Sequence, residues 1–243
     1  MTNIEKNLMA TRSDLEIVHS CIAKGELKEA LGALDHLTQT YPNDPNLFFM
    51  GGNCYGGLGH LDQAILCYQE AIKIKPDFAE AFNNMGFCLK DKNEITNAIS
   101  SFKKAIKIKP DLAEAHDNLG ICMYDLGKTH EALLCHKTAI KIKPDLAEAH
   151  NNLGNTFKAL NQVDKSILEY KRAIKIKPEF HGAVNNLKSL LVEMGSHDEL
   201  KEINNKMPEK NKTYEKAFSM VDKKNFTEAI KYFESAQVGD WEE

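Results

Sequence analysis

No basic stretch followed by an apolar core opens this sequence of 243 residues. Its start, "MTNIEKNLMATRSDLEIVHS", therefore carries no legible secretory signal. No run reaches the roughly 18 apolar residues that span a bilayer, so a cytoplasmic location is the expectation. Basic charge is not in excess either: a net charge of −4 and a pI near 6.2 give no global reason to expect nucleic acid or an anionic membrane as partner. The six cysteines include no CxxC pair, and a chain of this length is no small secreted scaffold, which argues against a disulfide framework. Also missing are a Gly-rich phosphate loop, a GxSxG elbow and paired carboxylates placed for acid–base work. At 42% hydrophobic and 27% charged, the composition is that of an ordinary folded protein and does not point to disorder.

What is present is periodic. "AIKIKPDLAEAH" occupies residues 105–116 and returns unchanged at 139–150, with variants at 71–82 and 173–184. Pro42, Pro76, Pro110, Pro144 and Pro178 are each 34 residues apart, as are Cys54, Cys88 and Cys122, and Cys67 and Cys135 are separated by 68. A fixed period of this size signals a repeat architecture, because one unit cannot bury its apolar face alone and stacks on the next.

Each unit reads as two helices. In the unit that begins at Asp111, His116, Leu119, Gly120 and Met123 share one helical face. Gly127 supplies a turn, and Ala132, His136 and Ala139 mark a second helix that stops before Pro144. The strings "DFAE" (77–80), "DLAE" (111–114) and "DLAE" (145–148) predict capping boxes. Asp77, Asp111 and Asp145 would cap the next helix, with Glu80, Glu114 and Glu148 reaching back. Lys107, Lys109, Lys141 and Lys143 fall in the preceding last turn, opposite the negative end of the helix dipole.

These units resemble tetratricopeptide repeats. That family is a 34-residue helix–turn–helix with a large residue at position 4, Leu at 7, a small residue at 8, an aromatic at 11, Ala at 20, an aromatic at 24, Ala at 27 and Pro at 32. The third unit matches with Phe82, Met85, Gly86, Leu89, Ala98, Phe102, Ala105 and Pro110. The second matches with Phe48, Gly52, Tyr55, Gly59, Ala64, Tyr68, Ala71 and Pro76. The fourth carries Leu119, Gly120, Gly127, Ala132, Ala139 and Pro144. The fifth carries Leu153, Gly154, Phe157, Tyr170, Ala173 and Pro178, with Ser166 in place of the usual Ala; the first keeps Gly25, Ala30 and Pro42. The expected organisation is an N-terminal segment (1–10), five repeats (11–178), a degenerate sixth (179–209) and a seventh with the C-terminal end (210–243). Val184, Leu187, Leu191 and Gly195 preserve the sixth repeat's first helix, and Ala217, Met220, Phe226, Ala229, Phe233 and Ala236 mark the seventh. The resemblance implies an all-α fold, a right-handed superhelical solenoid whose first helices line a concave groove.

With positions 4, 7, 8 and 11 buried, positions 2, 6, 9 and 13 face the groove. Position 6 holds Asn84, Asn118, Asn152 and Asn186, and an amide both donates and accepts toward the main chain of an extended peptide. This ladder resembles the repeat arm of the O-linked N-acetylglucosamine transferases; the plainer alternative is a tolerated polar residue on a wet face. Phe87 and Ile121 at position 9, with Tyr124 at position 12, suggest a partner contact, or else packing on a neighbouring repeat. Asn155 joins the candidate peptide-binding residues. Glu80, Glu114 and Glu148 at position 2, with Asn or Asp at positions 5 and 6, argue against the Lys/Arg clamp by which chaperone-adaptor repeats grip a C-terminal carboxylate.

His116 and His150 stand at position 4, where other units place Phe48 and Phe82, and are expected to fill an aromatic slot, hydrogen-bonded through one ring nitrogen. His130, Cys135 and His136 lack a fourth zinc ligand, so no metal and no cofactor are expected. The cysteines at positions 10 and 23 read as small buried hydrophobes. Two functions follow. One is a non-catalytic scaffold for a protein or peptide partner held extended in the groove, and the other is the substrate-recruiting arm of an enzyme whose catalytic part lies in another chain or in further sequence. The ending "QVGDWEE", with Trp241, shows no polar capping helix, so the expectation is that this end associates with itself or a partner, or that the sequence is an excerpt of a longer one.

Overall fold

The computed structural model describes residues 9–196. The seventh-repeat residues Ala217, Met220, Phe226, Ala229, Phe233 and Ala236, the stretch that begins at His197, and Trp241 lie outside the described residues. Among those described, the regular structure is entirely helical: α1 (Glu16–Ala23), α2 (Leu27–Thr40), α3 (Pro45–Gly57), α4 (Leu61–Ile74), α5 (Ala79–Asp91), α6 (Ile95–Ile108), α7 (Ala113–Asp125), α8 (Thr129–Ile142), α9 (Ala147–Ala159), α10 (Val163–Ile176) and α11 (His181–Glu193). The chain divides into two compact units between Lys143 and Pro144. The first holds four helix pairs, α1–α2 to α7–α8; the second holds α9–α10 and α11, the first helix of the next repeat.

Two kinds of turn set the period. Within a repeat, the first helix ends in a paired turn closed by a residue at positive φ: Gly25, Gly59, Asn93, Gly127, Asn161 and Gly195, with φ between 55° and 76°. Around Gly59 the amide of His60 donates to the Tyr55 carbonyl at 2.9 Å and that of Gly59 to Gly56 at 3.0 Å, which satisfies carbonyls the helix leaves behind. Asn93 and Asn161 take the place of glycine because a short polar side chain tolerates the left-handed region better than a branched one.

Between repeats, the lysine–proline–acid string forms a tight turn. The amides of Phe78, Leu112 and Phe180 donate to the carbonyls of Lys75, Lys109 and Lys177 at 3.0–3.1 Å, with proline in the position whose fixed φ suits such turns. This corrects the expected capping boxes. The residue that flanks the next helix is Phe78, Leu112 or Leu146, none of which makes a side-chain cap, so Asp77, Asp111 and Asp145 stand one residue too early. Asp44, which precedes Pro45 directly, does cap its helix, accepting from the Asn46 amide at 2.9 Å. Glu80, Glu114 and Glu148 pair instead with Lys109, Lys143 and Lys177 at 2.8, 2.9 and 3.3 Å, twenty-nine residues on.

The close approach of the two helices in a repeat follows from glycine at position 8. Atoms of the position-24 ring lie where a Cβ would stand: Tyr68 over Gly52 at 2.5 Å, Phe102 over Gly86 at 2.8 Å, His136 over Gly120 at 2.6 Å and Tyr170 over Gly154 at 2.5 Å. Ser166, in place of Ala, is fully buried and donates its hydroxyl to the Gly154 carbonyl at 2.8 Å, which satisfies its polar group. Val184, Leu187 and Leu191 are buried on α11, and Gly195 closes it.

Candidate functional site

The candidate residues lie on the first helices. Asn84 and Phe87 are on α5, and Asn118, Ile121 and Tyr124 on α7, all in the first unit. Asn152 and Asn155 are on α9 and Asn186 on α11, in the second. The position-6 asparagines are half-buried, and Asn84, Asn118 and Asn186 engage the preceding repeat of their own unit. Asn84 donates to Asn53 Oδ1 at 2.9 Å and Asn118 to Asn83 Oδ1 at 3.1 Å. Asn186 donates to Asn151 Oδ1 at 2.9 Å and to Asn155 Oδ1 at 3.1 Å. In these three, position 6 binds position 5 or 9 of the repeat before.

A tyrosine completes this network. The Tyr68 hydroxyl donates to Asn53 Oδ1 at 2.8 Å, and that of Tyr170 to Asn155 Oδ1 at 2.7 Å, so each amide oxygen at position 9 joins position 24 of its own repeat to position 6 of the next. Burial pushes the Tyr68 phenol well above its ordinary pKa, so it stays a donor. The position-5 residues Asn83, Asp117 and Asn151 are buried, although the helical wheel placed only positions 4, 7, 8 and 11 inside. The sequence did hold a signal for the link from position 9 to position 24: Asn at position 9 occurs in the two repeats with Tyr at position 24, and hydrophobic residues occur at position 9 in the two with Phe or His there.

Those two repeats present the apolar surface. Phe102 has no hydroxyl to offer, and His136 turns its Nδ1 to the buried carboxylate of Asp117 at 2.7 Å. Position 9 then has no tyrosine to bind: Phe87 is 46% exposed, and Tyr124, a turn beyond the half-buried Ile121, is 38% exposed. Packing on a neighbour does not cover them. Lys90 Nζ lies 5.2 Å from the centroid of the Phe87 ring and 2.9 Å from Asp91 Oδ1.

The position-4 histidines differ from each other. His116 donates through Nε2 to the Pro110 carbonyl at 3.0 Å. His150 makes the matching bond to the Pro144 carbonyl at 3.0 Å, and its Nδ1 also meets Glu169 Oε2 at 2.6 Å. Acceptors on both nitrogens favour the protonated ring: the Glu169 hydrogen bond raises its pKa above the ordinary 6.5, against the opposing effect of burial. Glu169 also binds Arg172 at 2.7 Å. Cys54, Cys88 and Cys122 are buried thiols whose pKa burial pushes up, in Cys122 to about 11, which leaves them poor nucleophiles. Among the described residues no group of three His, Cys, Asp or Glu side chains is placed to hold a metal ion, and no helix is long and apolar enough to cross a membrane.

Comparison with known proteins agrees with this geometry. A family model described as "TPR repeat" matches residues 52–92, 88–127 and 122–160, and one described as "Tetratricopeptide repeat" matches 147–180, together more than half of the chain. No curated protein sequence matches. Similar solved structures include PilW, a type IV pilus biogenesis factor, with a TM-score of 0.71 and 19% identity over 80% of this chain and 91% of that one. TTC0263, a thermophilic TPR protein of Thermus thermophilus, has a TM-score of 0.63 and 18% identity over 75% of this chain and 100% of its own. YrrB, titled a TPR protein with an unusual peptide-binding site, has a TM-score of 0.55 and 20% identity over 75% and 92%. At these identities the likeness is one of fold, and with the matched repeats and their glycine–ring packing it makes this chain a member of the tetratricopeptide-repeat proteins.

Proposed function

We propose that this chain is a non-catalytic cytoplasmic scaffold that holds an extended segment of a protein partner in the groove lined by its first helices. The observation that carries the reading is the exposure of Phe87 and Tyr124 on α5 and α7. The fold does not require hydrophobic residues there, since the second and fifth repeats place Asn53 and Asn155 at position 9 and tie them into the inter-repeat network. Large apolar side chains on an otherwise polar face contribute to association by leaving water. Proteins of this family generally mediate protein–protein contacts, and YrrB, of the same fold, is described as having a peptide-binding site.

Asn84, Asn118 and Asn186 hold first helices in register within their units, and with Asn152 turn their remaining hydrogen-bonding capacity to the partner, the role in which they resemble the transferase arms. A second reading rests on the opposite face: Leu66 and Leu134, on the second helices α4 and α8, are 61% and 68% exposed. A photo-reactive amino acid placed at 121 or at 134 in the full chain, followed by irradiation in cell extract, separates the two. Partner adducts from position 121 and not 134 support the groove; adducts from 134 alone refute it.

A further inference from the structure

The third repeat provides its own model of a bound cation. On α5, Phe87 and Asp91 are one turn apart on the same face, and Lys90 places its ammonium over the Phe87 ring at 5.2 Å while it pairs with Asp91 at 2.9 Å. The fourth repeat keeps the carboxylate and an apolar residue at this spacing, without the ring. On α7, Ile121 and Asp125 have the same spacing, and the residue between them that matches Lys90 is Tyr124, an exposed aromatic in place of a cation. Asp125 is exposed and has no ion-pair partner among the described residues, and it ends α7, so the negative end of the helix dipole adds to its charge. The first helices of the second and fifth repeats end instead on Gly57 and Ala159.

We infer that Ile121, Tyr124 and Asp125 form a subsite for a lysine or arginine of the partner, next to an apolar partner side chain seated on Phe87. The proposal rests on the groove-binding reading and gives that reading its chemistry. The partner's cation pairs with Asp125 as Lys90 pairs with Asp91, and reaches the Tyr124 ring from the neighbouring side of the helix, since consecutive residues point about 100° apart. The ring face attracts the cation, the carboxylate pairs with it, and the apolar neighbours exclude water from one side. The occupant is therefore a basic–apolar segment, and an acidic segment is disfavoured by Asp125 and the helix end.

Fluorescence anisotropy with the full chain and three labelled peptides tests this. The peptides carry a central Leu-Lys, Leu-Glu or Ala-Lys pair in one Gly/Ser background. The Leu-Lys peptide is expected to bind tightest, and Asp125→Asn to weaken it about threefold, the scale of an exposed ion pair. Asp125→Lys is expected to reverse the preference in favour of Leu-Glu, and Tyr124→Ser to weaken Leu-Lys without affecting discrimination against Ala-Lys. Circular dichroism checks that each surface variant stays helical. Equal binding of Leu-Lys and Leu-Glu, an unchanged preference in Asp125→Lys, or no binding of any peptide overturns the proposal. If cross-linking from position 121 still captures a partner, the groove reading survives while the basic subsite falls. If neither assay gives a signal, both fall.

Discussion

Replacing Gly154 with alanine sets two effects of known sign against each other. In an exposed helix the change gains about 1 kcal/mol, because alanine loses less backbone freedom on folding. Here the new Cβ would stand 2.5 Å from Cε1 and 2.6 Å from Cδ1 of Tyr170, closer than carbon atoms approach. The ring cannot withdraw cheaply: Tyr170 is 1% exposed, and its hydroxyl is anchored to Asn155 Oδ1 at 2.7 Å. Overpacking costs about 1–3 kcal/mol, and losing the hydroxyl bond about 1 kcal/mol more, so net destabilisation of about 1–3 kcal/mol is expected. Gly86→Ala meets Phe102 at 2.8 Å, a ring without a hydroxyl anchor, and should cost less. Gly32→Ala, within α2, meets nothing within 4 Å and should stabilise by about 0.5–1 kcal/mol. Because stacked repeats open in parts, hydrogen exchange of α9 and α10, read beside urea unfolding, is the appropriate assay. The expected order of stability is Gly32→Ala, wild type, Gly86→Ala, Gly154→Ala. A Gly154→Ala protein as stable as wild type would refute the packing argument.

The buried pair of His150 and Glu169 makes the second unit pH-dependent. The folded pKa of His150 is raised, so the contribution is complete below the unfolded value of 6.5 and is lost as pH rises through the higher folded value. Urea midpoints across that range should fall more in wild type than in His150→Phe, and parallel curves would contradict it. At Asn93, where φ is 64°, valine should cost about 1–2 kcal/mol while glycine is neutral or slightly stabilising, as thermal melts of the two variants would show; equal melting temperatures would count against the left-handed requirement.

The helix pairs, their period and the burial of Cys54, Cys88 and Cys122 were legible from residues alone, because a repeat writes the same packing solution several times, whereas Cys67 and Cys135 at position 23, expected to be buried too, are only half-buried. Gly52, Gly86, Gly120 and Gly154 matched the small residue expected at position 8, and the structure shows the ring that each one admits. The capping boxes were misread by one residue, since "PD" reads equally well as a turn or as a cap and only the dihedral angles of Phe78 and Leu112 distinguish them. For the groove, the sequence supplied the candidates Asn84, Asn118, Phe87 and Tyr124. It was silent on how the amides are engaged, because Asn84 and Asn53 are thirty-one residues apart and meet only when repeats stack.

Local chemistry therefore determined the elements: proline and aspartate make the turn, glycine or asparagine closes the first helix, and small residues permit close approach, all within a span of one repeat. Tertiary structure decided what the polar side chains do. Stacking turns position 6 toward positions 5 and 9 of the preceding repeat, and turns Glu80 toward Lys109, contacts whose partners no local pattern specifies. It also decided that Phe87 and Tyr124 stay in contact with water, since exposure is a property of neighbours that the chain acquires only when it folds.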